Sequence, residues 1–241
     1  MSPEPSPEYC SQSAAVEHII ARAGPKLIIG LPLGLGKPNH LINALCARVT
    51  ADSSLSMVLY TALSVDVPKP KPGLESAFAQ PFLDRHFGVG YPVLDYVRQL
   101  KAGILCPRIR VHEFYFQSGT MLACEQAQRD YVSLNYTHVA RELARIGVNV
   151  MLHLVARRDC PNAYSRLSLS CNPDVTLDAL DALATTPPFG RTQIVKPAPD
   201  RTTVQPAHRI VNLLPIPKQL GKSLRCDIFS RRLASRHAIS R

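Results

Sequence analysis

Along the first 180 residues, apolar positions alternate between two periods, one near four residues and one of compact runs or strict alternation, as in an α/β layer fold. Ala14 to Ala23 reads as a short amphipathic helix closed by Gly24-Pro25. Lys26 to Gly30 follows with the run Leu27-Ile28-Ile29, the pattern of a strand buried on both faces of a parallel sheet. After a loop over 31–38, Asn39 to Val49 places Leu41, Leu45 and Val49 at four-residue steps, with Asn39 as the expected N-cap. Ser56 to Leu63 reads as the next strand, and Pro68-Lys69-Pro70-Lys71-Pro72-Gly73 as a loop or stiff connector, because proline lacks the amide hydrogen and fixes φ.

Beyond the connector the pattern predicts helices at Glu75 to Phe82 and Val93 to Ala102, and a strand at Ile109 to Phe116. A helix over Thr120 to Arg129, a period-two strand at Tyr131 to Tyr136 and a helix at His138 to Ile146 come next. Gly147 ends that helix, and Val148 to Ala156 is the last strand. Strand, helix and strand in this order imply an open, mostly parallel sheet flanked by helices, with right-handed crossovers.

The pattern fails near residue 185. Residues 191–241 hold 11 Lys and Arg against Asp200 and Asp227, a net charge of +9, so nearly all of the chain's +10 lies there. Pro197, Pro199, Pro206, Pro215 and Pro217 interrupt the same stretch. Three regions are therefore expected: a flexible start at 1–13, an α/β domain at 14–184, and an irregular, basic, proline-rich tail at 185–241. The acidic, polar start is not an export signal, and no run approaches the length needed to span a bilayer, so a cytoplasmic protein is expected. Seven scattered cysteines without a Cys-x-x-Cys pair argue against a disulfide framework or a metal site.

Candidate chemistry centres on Gly30-Leu31-Pro32-Leu33-Gly34-Leu35-Gly36-Lys37-Pro38-Asn39, a glycine-rich loop between a buried strand and a helix. Glycines let backbone amides approach an anionic or carbonyl group closely, so the loop could cradle a carboxylate or thioester oxygen; a purely structural turn is the alternative. It is not a phosphate loop, since the glycine spacing fails and Pro38 replaces the hydroxyl residue, nor a dinucleotide fingerprint, since Asn39 stands at the third glycine. His112, Glu113 and Glu125 read as solvated or strand-end residues, and Ser118 as a helix N-cap. His153 reads as a hydrogen-bonded core residue, and Arg157-Arg158 as a solvated loop after its strand.

The loop Leu31 to Asn39, the stretch Phe114 to Leu152, and Tyr164 through Leu177 with Ser168-Leu169-Ser170-Cys171-Asn172-Pro173-Asp174 together resemble the N-terminal region of the acetyl-CoA hydrolase/CoA-transferase family. The likeness covers roughly residues 15–183. It implies two similar open α/β domains with an active site between them, coenzyme A as co-substrate with no permanently bound cofactor, and acyl-CoA and a small carboxylate as ligands. In that family a glutamate of the second domain attacks the thioester, and an acyl anhydride and then a glutamyl-CoA thioester form. The matching substrate-binding positions are Gly34, Gly36, Lys37, Pro38 and Asn39.

The resemblance also implies that the domain bearing the catalytic glutamate is missing, so no nucleophile is assigned and the chain is expected to be inactive alone. A tail translated in a shifted frame, and either a separate C-terminal half or a homo-oligomer as partner, follow as expectations. Two other readings stand beside it. One is a self-sufficient hydrolase using Cys124 or Ser118; the other is a non-catalytic module whose basic tail contacts nucleic acid through its charge, although the tail lacks the interleaved aromatic residues of nucleic-acid binders.

Overall fold

The computed structural model describes residues 8–88, 91–160, 163–169, 174–185, 194–197 and 209–213. After a short strand β1 (Glu8–Cys10), helix α1 (Gln12–Ala23) starts where the Ser11 hydroxyl accepts the Ala14 amide at 3.2 Å. It stops at Gly24, whose φ of 81° turns the chain out of the helix. Strand β2 (Lys26–Gly30), helix α2 (Asn39–Ala51) and strand β3 (Ser56–Thr61) follow as the periodicity predicts.

Helices α3 (Leu74–His86) and α4 (Asp95–Lys101) precede strand β4 (Ile109–Glu113). Helices α5 (Glu125–Arg129) and α6 (Val139–Arg145) lead to strand β5 (Val150–Cys160), strand β6 (Ala163–Ser168) and helix α7 (Thr176–Thr185). Two short strands, β7 (Ile194–Pro197) and β8 (Arg209–Leu213), lie within the basic segment; the rest of that segment is outside the described residues.

The centre of the molecule is an all-parallel four-stranded sheet in the order β5-β2-β3-β4, flanked by helices. Register aligns Leu27 with Met57 and Ile109, Ile29 with Leu59 and Val111, and Thr61 with Glu113. Strand β5 also pairs antiparallel with β6 and β8, and β8 connects to β7 and β1. At the end of β2 the side chain of Met151, the register partner of Gly30 on β5, occupies the space beside the glycine: a Cβ there would lie 2.3 Å from the Met151 sulfur.

Because side chains alternate across a strand, the sheet builds two cores. Leu27, Ile29, Met57, Leu59, Ile109 and Val111 face α1, α2 and α4. On the other face Ile28, Tyr60 and Met151 pack with Val139 and Leu143 of α6 and Ala179 and Leu183 of α7. His153 belongs to this buried interior, its Nδ1 2.8 Å from the Thr176 hydroxyl, which bears out its reading as a core residue.

Several local expectations are corrected. The segment 131–135 is not a strand: one ladder-like bond, Val132 amide to Glu113 carbonyl at 3.0 Å, is followed by a 3-10 turn at Tyr136–His138. Its apparent alternation arises because Tyr131 covers Phe116 and donates to the Phe114 carbonyl, closing the end of β4 as a loop. The helix expected from Thr120 is confined to α5, since Gly119 at φ 78° and successive turns occupy its first half. Ser118 therefore caps nothing. Arg157 and Arg158 lie within β5, which runs on to Cys160 instead of ending in a loop.

Candidate functional site

The carboxyl ends of β2, β3 and β4 come together at one edge of the sheet, the place where open α/β sheets bind ligands. Three loops leave this edge: Leu31 to Pro38, Ala62 to Gly73, and Phe114 to Cys124.

The first loop is the glycine-rich one, and it is tethered at both ends. The Leu31 amide donates to the Tyr60 carbonyl at 2.9 Å, and the Leu33 amide to Asp174 Oδ2 at 2.7 Å. Asp174 Oδ1 accepts the Tyr136 hydroxyl at 2.6 Å, so one carboxylate ties the loop to a residue 141 positions away and to the turn before α6. Gly34, at φ 50°, opens a 3-10 turn that ends at the buried Gly36. Pro38 then occupies the cap position of α2, its carbonyl accepting the Ile42 amide at 3.0 Å. Asn39 is not the cap. It is the first helical residue, and its Nδ2 donates to the Pro92 carbonyl at 2.7 Å, while Asn43 one turn later binds Val93 and Asp95. Here an amide side chain fixes the path of another loop instead of its own helix end.

Lys37 turns inward. Only 2% of it is exposed, and its ammonium donates to the carbonyls of Ala62 at 2.6 Å and Leu63 at 3.2 Å. Leu63 holds φ at 48°, an unusual state for a branched residue, and its own amide bonds the Tyr115 carbonyl at 2.8 Å. The neighbouring Ser64 amide reaches Glu113 Oε2 at 3.4 Å, and the Ser64 hydroxyl lies 2.6 Å from the hydroxyl of the fully buried Tyr96. Glu113 itself is 2% exposed, and its Oε1 has no hydrogen-bond partner among the described residues.

Both charges are pushed toward neutrality by burial. The Lys37 amine falls to about 7, with the negative charge of Glu113 and then Asp174 opposing the drop. The Glu113 carboxyl rises for the same reason, opposed by Ser64 and Lys37. The two groups act on each other through space, not through a shared hydrogen bond: the Lys37 ammonium is held by the Ala62 and Leu63 carbonyls, and the charge of each group favours the charged form of the other.

On the opposite face of the sheet, an apolar cavity lies between the strand ends and α6, lined by Tyr60, Phe114, Leu134, Val139, Leu143 and Met151. Thr61, Asp174 and Thr176 are among its polar members, and Asp174 is bonded to the loop at Leu33. His112 also borders it, stacked on Tyr60 with ring centroids 5.0 Å apart and its Nδ1 2.9 Å from the Asp130 carbonyl. A carbonyl can only accept, so Nδ1 carries the hydrogen.

The structure therefore separates residues that adjacency in sequence suggests are together. His112 and Glu113 face opposite sides of the sheet, and Glu125 is exposed on α5. Glu113 is at a strand end, as read, but is not solvated. Cys124 is buried, its Sγ donating to the Leu100 carbonyl at 3.4 Å, and the Cys46 thiol is pushed up to about 12 by burial, which keeps Cys46 in the thiol form. The charge interaction of Lys37 with Glu113 and the Asp174 tether are invisible to local reading, because they involve residues 76 and 141 positions apart. Only Glu113 carries a local signal, as the last residue of the buried strand β4.

Comparison with known protein families, with curated proteins and with solved structures finds no match. No helix among the described residues is long and apolar enough to cross a membrane.

Proposed function

We propose that this chain forms the first half of an acyl-CoA-binding cleft of the acetyl-CoA hydrolase/CoA-transferase type, acting on acyl-CoA thioesters together with a second domain that carries the attacking glutamate. The observation that carries the reading is the placement of Gly34, Gly36, Lys37, Pro38 and Asn39 at the carboxyl edge of a parallel sheet, beside a buried ionisable pair. A carboxylate is a weak nucleophile in water. Its attack on a thioester needs exclusion of solvent and fixed donors for the oxygen that becomes negative. A rigid, tethered glycine turn offers backbone amides for that purpose, and Asp174 and Asn39 hold it in place from both sides.

Water as acceptor gives hydrolysis; a second small carboxylate as acceptor gives transfer of coenzyme A. In this reading coenzyme A is a co-substrate, and the chain alone turns over nothing, since Glu113 sits beneath the surface.

The test joins the chain, up to about residue 183, to whatever α/β sequence any reading frame downstream of its gene encodes, and measures thiol release from acetyl-CoA with and without succinate. Turnover by the joined protein and none by the chain alone supports the reading. Steady turnover by the chain alone, or the lack of a glutamate-bearing α/β sequence in every frame, overturns it.

A further inference from the structure

The interior beneath the glycine loop holds an oxygen that no neighbouring group satisfies. Lys37, Thr61, Tyr96 and Glu113 are all buried there, at the carboxyl edge of the sheet. The Glu113 carboxyl uses Oε2 on the Ser64 amide at 3.4 Å, a long bond, while its Oε1 meets no donor among the described residues. Buried polar atoms almost always find a partner, either in the protein or in ordered water.

Two neighbours have hydrogen-bonding capacity to spare. Lys37 commits two of its ammonium hydrogens, to the Ala62 and Leu63 carbonyls, and keeps the third. Thr61 stands opposite Glu113 in the β3–β4 ladder, and its hydroxyl has acceptors only at 3.4 and 3.5 Å. The charges of Lys37 and Glu113 act on each other, yet among the described residues no carboxylate oxygen lies within ion-pairing distance of the Lys37 Nζ. A polar pair that interacts beyond direct contact is spaced for one bridging molecule.

That molecule has to suit more than one protonation state. Burial moves both groups toward their neutral forms, so ammonium and amine, carboxylate and acid all have to be accommodated. A cation is repelled by the ammonium, and an anion by the carboxylate. Water donates to a carboxylate or an amine, accepts from an ammonium or an acid, and makes about three hydrogen bonds when buried.

We propose that one internal water is bound between Glu113 Oε1, the Lys37 Nζ and the Thr61 hydroxyl, joining the start of α2 to the ends of β3 and β4. The head group of Lys37 then belongs to the interior, and what this residue offers the cleft is its backbone. The inference does not depend on the acyl-CoA reading, because it rests on atoms buried under the loop and stands whatever the loop binds.

The experiment is magnetic relaxation dispersion of water, recorded on the oxygen nucleus, which counts waters held for longer than the protein tumbles. It compares the full chain with Lys37→Met/Glu113→Leu. The double substitution removes both charges together for side chains of similar size, a change that buried polar pairs commonly tolerate, and circular dichroism verifies the fold. The dispersion of the wild type is expected to exceed that of the variant by the equivalent of one water. A crystal structure of the wild type that resolves ordered solvent gives a second reading, independent of any variant: one water within hydrogen-bonding distance of both Glu113 Oε1 and Lys37 Nζ. Equal dispersions from the two folded proteins overturn the proposal. So does a crystal structure in which Glu113 Oε1 bonds Lys37 or another side chain directly, or in which a cation stands in the water's place.

Discussion

Helices α2 and α3 are both 13 residues long, and both carry large apolar side chains at steps of four: Leu41, Leu45 and Val49 in one, Leu74, Phe78 and Phe82 in the other. All three of the first set are fully buried, and all three of the second are exposed. The difference lies in how the chain enters each helix. Before α2 the chain is tied at Leu31, Leu33, Lys37 and Asn39, which fixes the helix against the sheet. Before α3 it runs through Pro68, Pro70 and Pro72, which supply no amide donors, and the connector places the helix outside the βαβ layers. Periodicity defines a stripe; the tethers on either side decide what the stripe meets.

The largest effect that separates the two helices is a truncation in α2. Leu45→Ala removes a side chain with no exposed surface from the centre of the first core and is expected to destabilise the protein by about 2–5 kcal/mol, measured by urea denaturation.

Cutting the entry tether comes next. Asp174→Ala removes the acceptor of both the Leu33 amide and the Tyr136 hydroxyl, and a loss of about 1.5–3 kcal/mol is expected, with faster hydrogen exchange confined to the glycine loop and the turn at 136–138. Exchange that rises equally along α3 would mean that Asp174 acts on global stability and not on the entry to α2.

These two effects also mark how far the sequence could be read. The strands β2, β3 and β4 and the stripe of α2 were legible because burial on both faces and four-residue spacing are local properties, written in neighbouring residues. So was the location of the glycine loop at a strand end. The orientation of Lys37 was not, because its acceptors are the Ala62 and Leu63 carbonyls of the next strand's loop, and nothing near Lys37 encodes them. Asn39 misled for a related reason: its side chain suits a cap, but a more distant carbonyl at Pro92 takes its hydrogen. The period-two reading of Tyr131 to Tyr136 failed because alternation also suits a loop laid over ring faces.

The buried lysine in the tether adds a dependence on pH. In the unfolded chain a lysine titrates near 10.5, and in the fold Lys37 titrates near 7, so between those values the unfolded state holds a proton that the native state has released. Stability contributed at this site is therefore complete above pH 10.5 and is lost as pH falls to 7, at up to about 1.4 kcal/mol per pH unit. Lys37→Met keeps the length of the side chain without the charge. Between pH 7 and 10 the stability of the wild type is expected to climb relative to this variant, and two parallel curves would show that the ammonium is retained throughout.

The smallest effect belongs to the exposed stripe, and its smallness is what distinguishes α3 from α2. Phe78→Ala removes more apolar surface than Leu45→Ala does, yet that surface already faces water in the single chain, so the hydrophobic term is the same before and after unfolding. The unfolding free energy measured by urea denaturation is expected to change by no more than about 0.5 kcal/mol. A cost comparable to that of Leu45→Ala would place Phe78 in the core of its own chain, and the contrast between the helices would collapse into a difference of degree.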